Sequence, residues 1–425
     1  MKFIIYNLGC KVNAYESNIM TERLESAGFI STDDIKNADI AIVNTCTVTN
    51  TADNKSLKLL RQIKREKRNI ILVAVGCLVQ VNKGILKEKA DVDIAIGNVG
   101  KSKIVEFIND YLNTHEKKEE VLDIMHTGFE DMKLNNFDKT RAFVKIQDGC
   151  NNYCSYCIIP YSRGNVRSKN KEVIFAEIKE LIKNGHQEIV LTGIHTGHYG
   201  SEFKDYDFAD LLSDILKIKG LLRLRISSIE IVELSEKFME VLRNNKILVD
   251  HLHIPLQAGS DEILKLMNRR YNLEYFENKI AEIRRIRPDI SISTDVIVGF
   301  PHETDELFQK TIETVKRIGF SKIHVFPYSR RKGTKADLMD EQIDESTKKE
   351  RSRILVNVSK ELEINYMNKF LNKEIEFIPE TFKNGFIYGH TGNYLNVKMY
   401  GNEFDLKKVK KAKIVKIEYP YCIAE

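Results

Sequence analysis

The sequence predicts an α/β protein in three parts: an open parallel α/β domain, a partial (βα)6 barrel and a small all-β barrel. Short apolar runs alternate with helical patterns over residues 1–112 and again over 141–330. After residue 370 the helical patterns stop, and short strand-like runs with Asn- and Gly-containing turns follow. Strands that alternate with helices build parallel sheets, whereas short strands joined by tight turns build sandwiches or barrels.

The first domain is expected to span residues 1–112. Amphipathic helices are predicted over 15–27 and 52–67, between apolar runs that are too short to be helices. The predicted strands are 2–8, 39–44, 70–75 and 92–96. Residues 113–140 are polar and charged, and we expect them to be a linker or a weakly ordered connection, in which a hairpin is an alternative.

The second domain is expected to span residues 141–365. Six βα units favour a partial barrel over a complete eight-unit one. Its strands are predicted at 142–147, 188–192, 222–227, 250–255, 290–298 and 322–326. A charged segment over 335–365 is predicted to be a helix. The third domain, residues 366–425, is predicted to contain strands at 374–378, 385–388, 395–399 and 412–418.

The composition is that of an ordinary globular protein. Of the 425 residues 42% are hydrophobic, the net charge is +5, and no run approaches eighteen apolar residues, so no membrane span is expected. The short apolar N-terminus lacks the cleavage pattern of a signal peptide, and we expect a cytoplasmic protein. Seven cysteines without a secretion signal indicate metal-binding or catalytic thiols rather than disulfides.

Three cysteines form a compact motif directly after a predicted barrel strand. Cys150, Cys154 and Cys157 have the spacing C-x3-C-x2-C, and Gly149 eases the turn before them. A loop of this kind can ligate three irons of a cubane cluster, which leaves the fourth iron open. A structural zinc site is the alternative, but it needs four ligands and no nearby cysteine supplies the fourth. Buried core thiols are a further alternative.

Three other cysteines each follow a predicted strand of the first domain: Cys10, Cys46 and Cys77. In a parallel sheet these strand ends lie side by side, at the edge where open α/β sheets bind ligands. We therefore expect the three thiols to converge on a second cluster, again with one open iron. Independent buried cysteines, or a redox disulfide between two of them, remain alternatives.

Several motifs together resemble the radical S-adenosylmethionine methylthiotransferases. The C-x3-C-x2-C loop is the superfamily signature. The segments GCKVNAYES, VNTCTVTNTADNKS and AVGCLVQ are similar to the family's N-terminal domain, and HLHIPLQAGSDEILKLMNRRYN, TDVIVGFPHET and VFPYSRRKGTKA to its barrel. HTGNYLNVKMYG resembles its C-terminal RNA-binding β-barrel, the TRAM domain. Within the family, GCKVN and NTCTVT resemble the branch that acts on threonylcarbamoyl-adenosine at tRNA position 37.

The resemblance implies a mechanism with two 4Fe–4S clusters and S-adenosylmethionine. One equivalent would methylate sulfur held on the N-terminal cluster, and another would yield the 5′-deoxyadenosyl radical that activates C2 of the adenine. A C–H bond at this carbon is not acidic enough for general base catalysis. The implied partners are tRNA and an electron donor such as flavodoxin or ferredoxin, while the sequence indicates no sulfur donor.

Contacts to S-adenosylmethionine are expected from residues at the ends of the barrel strands and from the cysteine loop. For most of them a helix cap or turn role is the alternative, and Tyr156 is as suited to shielding the cluster. Arg163 and Arg167 are expected either to pair with a carboxylate or phosphate or to lie solvated on the surface. The candidate contacts to S-adenosylmethionine are Tyr156, Thr192, Gly193, Ser227, Glu230, Gln257 and Asp295.

Two basic runs, residues 61–68 and 407–416, are candidates for contact with phosphates, with a solvated face as the alternative.

Four other functions stay open. A related enzyme would act on isopentenyl-adenosine in tRNA or on an aspartate of a ribosomal protein. A protein of another class would be a two-cluster electron-transfer protein without catalysis, or a nucleic-acid-binding module with a structural metal.

Overall fold

The computed structural model describes residues 1–82, 84–130 and 132–425. It contains an N-terminal parallel sheet covered by helices, an open barrel of βα units and a closed C-terminal β-barrel. In these three ranges no helix is both long and apolar enough to cross a membrane.

The N-terminal sheet has six parallel strands in the order β2-β1-β3-β4-β5-β6. The four predicted strands are confirmed, with ends shifted by one or two residues. The two outer strands were missed because they are only two and three residues long and largely exposed. The strands are β1 (Lys2–Asn7), β2 (Ile30–Ser31), β3 (Ile40–Thr45), β4 (Ile71–Gly76), β5 (Ile94–Ile96) and β6 (Lys118–Glu120).

Helices cover both faces of this sheet. The helix α2 illustrates why they form: the Thr49 side chain caps its first turn by accepting from the Ala52 amide, and Leu57, Leu60 and Ile63 give it one buried face. The helices are α1 (Lys11–Ser26), α2 (Asn50–Glu66), α3 (Cys77–Val81), α4 (Ile85–Lys89) and α5 (Ile104–Thr114).

The described parts of the connection, residues 113–130 and 132–140, contribute one strand and several buried apolar residues. Strand β6 extends the N-terminal sheet beyond residue 112, and Ile124, Met132, Leu134 and Phe137 are buried. These apolar residues are separated by charged and polar ones without a helical or strand period. Their burial is therefore not visible in a pattern analysis of the sequence.

The central domain holds the six predicted parallel strands in two sheets, β7-β10-β11 and β12-β13-β14. A single bridge between Leu224 and Leu248 joins the sheets, so the barrel is curved but open. Two short strands, β8 and β9, pair beside the cysteine loop. The strands are β7 (Arg141–Lys145), β8 (Gln147–Asp148), β9 (Arg167–Ser168), β10 (Glu188–Thr192), β11 (Arg223–Ile226), β12 (His251–His253), β13 (Ser291–Val298) and β14 (Lys322–Pro327).

The outer helices of this domain pack on the strands and form the largest apolar core. The predicted helix over 335–365 is wrong at its start. Residues Lys335–Leu338 form a short 3-10 turn, and the long helix begins after Asp344, whose carboxylate accepts from the Thr347 amide at 2.9 Å. The helices are α6 (Ile159–Arg163), α7 (Lys171–Lys183), α8 (Phe208–Ile215), α9 (Glu236–Asn244), α10 (Asp261–Leu266), α11 (Leu273–Ile286), α12 (Asp305–Ile318) and α13 (Glu345–Asn368).

The C-terminal domain is a closed five-stranded barrel in the order β15-β16-β17-β19-β18, which confirms the predicted β-barrel. Its last strand was not predicted because it is four residues long and follows a turn. The loop after β16 reaches the first barrel sheet, where the Tyr394 hydroxyl accepts from Arg141 at 2.6 Å. The strands are β15 (Glu374–Lys383), β16 (Phe386–Thr391), β17 (Asn396–Tyr400), β18 (Lys410–Glu418) and β19 (Tyr421–Ala424).

Candidate active site

The cysteine loop after β8 is held by main-chain hydrogen bonds rather than by regular structure. The Cys150 amide donates to the Gly164 carbonyl at 3.0 Å, and the Cys157 amide donates to the Cys154 carbonyl at 2.9 Å. Gly149 has a φ of +77°, and a Cβ there would lie 1.8 Å from the Asn165 carbonyl oxygen. The predicted need for glycine before the first cysteine is confirmed, since any side chain would displace the loop.

Charged side chains contact two of the three thiols in this loop. An Arg269 nitrogen lies 3.3 Å from the Cys154 Sγ, and the same guanidinium pairs with Glu230. The His195 Nδ1 lies 3.7 Å from the Cys150 Sγ, and Glu233 pairs with the other ring nitrogen. These contacts give the loop a fixed polar surround.

Burial, together with the neighbouring Cys154 and Cys150, raises the pKa of the Cys157 thiol well above its ordinary value. A thiol in this environment keeps its proton until a metal replaces it. The electrostatic effect also indicates that the three sulfur atoms lie near one another. The loop therefore has the donor set and the compactness that a three-cysteine iron–sulfur site requires.

The N-terminal cysteines converge as the strand order requires. Strands β1, β3 and β4 are direct neighbours, and Cys10, Cys46 and Cys77 follow their carboxyl ends. Burial raises the pKa of Cys46 to about 11, with smaller contributions from Cys77 and Cys10. In the described parts of the chain every cysteine is free, so a disulfide between two of these thiols is not formed.

Glycines allow these strand ends to approach. Gly9 has a φ of +118°, and a Cβ there would lie 2.9 Å from the Cys46 Cβ and 3.2 Å from its sulfur. Gly76 has a φ of +101° and would place a Cβ 2.8 Å from the Asn44 side chain. The Gly-Cys pairs at two of the three strand ends are thus needed for the close approach of the backbone.

Helix α6 connects the two cysteine sets. It begins two residues after Cys157 and packs against α3, which begins at Cys77. The Asn98 amide group donates both to the Ser162 carbonyl at 2.7 Å and to the Cys77 sulfur at 3.4 Å. These contacts join the segment after Cys157 directly to the segment that carries Cys77.

A buried ionic network lies at the end of α6. Arg163 is fully buried and pairs with Glu16 of α1 at 2.6 Å and with Asp148 at 3.2 Å. Lys145 pairs with the same two carboxylates at 2.9 and 2.6 Å, and Lys101 also pairs with Glu16. Burial alone would raise the pKa of Glu16, but the three cations outweigh it and hold that pKa well below its ordinary range.

Of the two alternatives for Arg163 and Arg167, carboxylate pairing is confirmed and a solvated role is wrong. Both side chains are buried, and Arg167 lies 3.7 Å from Asp148 while donating to the Arg163 carbonyl at 2.9 Å. Arg163 thus joins the cysteine loop to the N-terminal domain through Glu16, and Arg167 joins it to the connecting segment by donating to the Ile124 carbonyl.

A cavity of about 680 Å³ lies inside the open barrel. Its walls come from the inner faces of β11 to β14, from the N-terminal domain beside Cys10, and from the loop of the C-terminal barrel that carries Tyr394. All three domains thus contribute to one cavity, open to solvent on one side, of a size that accommodates a small-molecule or nucleoside ligand.

Four of the candidate S-adenosylmethionine contacts lie at the cysteine loop or in the cavity. Glu230 pairs with Arg269, the side chain that contacts Cys154, and Tyr156 lies close enough to interact with the charge of Arg269. The other two line the cavity and are Ser227 and Asp295.

The other three candidates, Thr192, Gly193 and Gln257, lie in the barrel wall. Thr192 is buried at the end of β10, and a Cβ on Gly193 would lie 3.0 Å from the Gln147 side chain. Gln257 has a φ of +68°, and its main-chain N–H donates to the main-chain carbonyl of Asp295 at 2.8 Å. These three residues shape the wall, while the first four face the loop and the cavity.

Both basic runs are partly used for internal pairing. In the first run, Lys64 pairs with Asp93 at 2.8 Å and Lys67 donates to the Ala38 carbonyl at 2.6 Å. In the second run, Lys410 pairs with Asp405 at 2.6 Å. Fewer lysines of these runs are available to a ligand than the sequence indicates.

Sequence reasoning missed several residues that shape the site. Glu16 gave a signal, because it interrupts the apolar stripe of α1 between Val12 and Ile19, and a charge on a buried face needs a partner. His195 and Arg269 gave none, since their contacts with the cysteines join distant parts of the chain.

Two family models match the chain. The Radical SAM superfamily model matches residues 144–315, which include the cysteine loop. A model described as uncharacterized protein family UPF0004 matches residues 2–97, which include the three N-terminal cysteines.

Curated relatives cover nearly the whole chain. The threonylcarbamoyladenosine tRNA methylthiotransferase MtaB of Bacillus subtilis is 40% identical over 424 residues, which are 98% of this chain and 94% of the relative. This chain belongs to the radical SAM methylthiotransferase family. Another member, the tRNA-2-methylthio-N(6)-dimethylallyladenosine synthase of Carboxydothermus hydrogenoformans, is 35% identical over 97% of this chain and 96% of its own length.

A solved structure shares the fold of this family member. The radical S-adenosylmethionine methyltransferase TsrM of Kitasatospora setae matches with a TM-score of 0.57 and 12% identity, over 78% of this chain and 72% of that one. Radical SAM enzymes use S-adenosylmethionine and a 4Fe–4S cluster. The two three-thiol sets fit such clusters, because thiolates are the usual protein ligands of iron–sulfur sites.

Proposed function

We propose that this chain transfers a methylthio group to C2 of N6-threonylcarbamoyladenosine at position 37 of tRNA. The main support is the pairing of two three-cysteine sets across one short helix, beside a cavity that all three domains line. The name of the Bacillus subtilis relative supports the choice of nucleoside.

Each cysteine set has a separate role in this proposal. Cys150, Cys154 and Cys157 would hold the cluster that binds S-adenosylmethionine, and Cys10, Cys46 and Cys77 would hold the cluster that carries sulfur. When bound, these groups supply an electron for cleavage of the sulfonium and a sulfur atom for transfer.

The protein's own side chains orient and shield this chemistry. Arg269 and His195 keep the cysteine loop in one arrangement through their contacts with Cys154 and Cys150. The buried network around Glu16 fixes the two cysteine sets relative to each other. The walls that three domains supply to the cavity would reduce access of water to a bound substrate.

The C-terminal barrel offers a surface suited to RNA. Tyr400 and Phe404 are 74% and 85% exposed, and Tyr400 stacks on Phe386 at a centroid distance of 4.2 Å. Lys398 lies 4.3 Å from the centre of the Phe386 ring. Exposed aromatic rings beside lysines suit stacking on unpaired bases and contact with phosphates, and we propose this face as part of the tRNA contact.

The remaining parts of the proposal concern the domains and partners. We propose the boundaries 1–112, 141–365 and 366–425 as domain limits, with β6 added to the first sheet. A flavodoxin or ferredoxin is proposed as electron donor, and a location with the tRNA in the cytoplasm.

Nucleoside mass spectrometry of tRNA tests the function. A strain lacking this gene is complemented with the wild type, with Cys46→Ala or with Cys154→Ala. We expect the wild type to restore the methylthio form of threonylcarbamoyladenosine and both variants to fail. Cys422→Ala is the matched control, because this cysteine is buried in the C-terminal barrel far from both sets in the fold.

The same samples separate the alternatives. Restoration of the methylthio form of isopentenyladenosine instead would reassign the substrate. Purified protein that forms no 5′-deoxyadenosine from S-adenosylmethionine under dithionite would favour electron transfer.

A further inference from the structure

One wall of the central cavity carries positive groups that lack a full set of partners. Lys11 lines the cavity, is half-buried and directly follows Cys10. Across the described ranges of the chain, no carboxylate forms an ion pair with its ammonium group. Burial lowers the pKa of Lys11, and the nearby charges of Arg141 and Arg225 lower it further, while Tyr394 and Asp295 act in the opposite direction.

Arg225 also lines the cavity and carries one donor atom without a partner in the described parts of the chain. Its side chain is 1% exposed, and its Nε donates to Glu188 at 2.6 Å. Its Nη1 is buried, and among the described residues it has no hydrogen-bond partner. A buried donor without an acceptor costs free energy unless a ligand satisfies it.

The cavity also holds one carboxylate. Asp295 lines it and its charge acts on Lys11, but its oxygen lies 3.2 Å from the His253 ring nitrogen, so it already has a partner. The cavity thus combines two cationic side chains with one carboxylate that is paired elsewhere. An anionic group is expected to bind at the two cationic side chains.

We propose that Lys11 and the free Nη1 of Arg225 bind the carboxylate of the threonyl group and so select the substrate nucleoside. This inference rests on the proposed function. The threonylcarbamoyl group ends in a carboxylate, whereas an isopentenyl group is apolar and has nothing to offer these donors. Lys11 therefore distinguishes the two classes of modified adenosine.

A phosphate of the RNA backbone is the other source of a negative charge. Lys11 is recessed in a cavity rather than placed on the outer surface, which favours a group carried by the inserted nucleoside. The test must separate these two sources.

Binding of short RNA provides that test. Anticodon stem-loops carry threonylcarbamoyladenosine, its carboxyl methyl ester or unmodified adenosine, and their Kd values for the reconstituted holoenzyme are measured anaerobically. We expect the free acid to bind on the order of 10- to 100-fold more tightly than the ester, as for a charge-assisted hydrogen bond. Lys11→Gln is expected to reduce this ratio to within about twofold, and Lys11→Arg to retain most of it.

Three outcomes would overturn the inference. One is an equal Kd of the wild-type protein for the stem-loops that carry the free acid and the methyl ester. Another is an unchanged ratio in a Lys11→Gln protein with full iron content. The third is an equal loss for all three RNAs, which would assign Lys11 to a backbone phosphate.

The proposed function has a separate readout. Wild-type protein that binds the acid selectively but forms no methylthio product would contradict the function and leave the anion site standing. Product formation without selectivity for the acid would do the reverse. The iron content and absorption spectrum of each variant control for loss of the cluster beside Lys11.

Discussion

Replacing Glu16 with glutamine should destabilise the junction between the N-terminal domain and the barrel. In the wild type this carboxylate contacts Arg163, Lys145 and Lys101, all of which are buried. The amide leaves three buried cations with Asp148 as the one remaining carboxylate of the network among the described residues.

The size of the effect follows from the burial of the network. Removing one partner of a buried ion pair costs about 3–5 kcal/mol. The N-terminal domain, the connection and the barrel together have roughly 365 residues, and the unfolding entropy is about 2.1 cal/mol/K per residue. A loss of about 4 kcal/mol in the free energy of unfolding therefore lowers Tm by about 5 °C.

Scanning calorimetry or circular dichroism of the anaerobic holoenzyme measures this change. Glu25→Gln on the exposed face of the same helix is the matched control and should leave Tm unchanged. A Glu16→Gln protein within about 1 °C of the wild type, with normal iron content, would refute the assignment of a stabilising role to the network.

The pH dependence gives a second check. The pKa of Glu16 is held below its ordinary range, so the ionised carboxylate stabilises the fold above the pKa of the unfolded chain, about 4.3. This contribution is lost as the pH falls through the folded-state pKa. The difference in Tm between wild type and Glu16→Gln should therefore be full at neutral pH and shrink in acid.

Three further outcomes are expected. Gly9→Ala should lower the iron content by about four per chain, because its Cβ would lie 2.9 Å from the Cys46 Cβ; iron analysis that finds no loss contradicts the close approach. Phe404→Ala should weaken binding of an anticodon stem-loop about tenfold, while Leu338→Ala, equally exposed, should not; equal Kd values would exclude the aromatic face. Burial would raise the pKa of Glu380, but His390 and Arg141 outweigh it and lower that pKa. The ion pair between Glu380 and Arg141 of the central domain should therefore persist at neutral pH and weaken in acid. Hydrogen exchange at Arg141 that is insensitive to acid would contradict this.

Much of the site was predictable because its ligands are tied to regular features of the sequence. Cys10, Cys46 and Cys77 follow apolar runs, and the order of a parallel sheet brings those ends together. The loop with Cys150 is compact enough to be recognised from spacing alone.

The unpredicted parts depend on contacts between distant segments. A surface position was an open alternative for Arg163 because nothing near it in the sequence shows that Glu16 lies against it. The short strands β6 and β19 were missed because three or four residues carry too little pattern, and the buried residues of the connection were missed because they follow no helical or strand period.

Helix α6 restricts how the enzyme can move during turnover. Five residues at about 1.5 Å each span only about 7–8 Å, and both ends are anchored: one by the cysteine loop and the other by Arg163, which pairs with Glu16 of the N-terminal domain. A connection this short and stiff restricts movement of the two cysteine sets relative to each other. We therefore expect any opening of the cavity to involve the C-terminal barrel, whose Tyr394 loop forms part of the cavity wall.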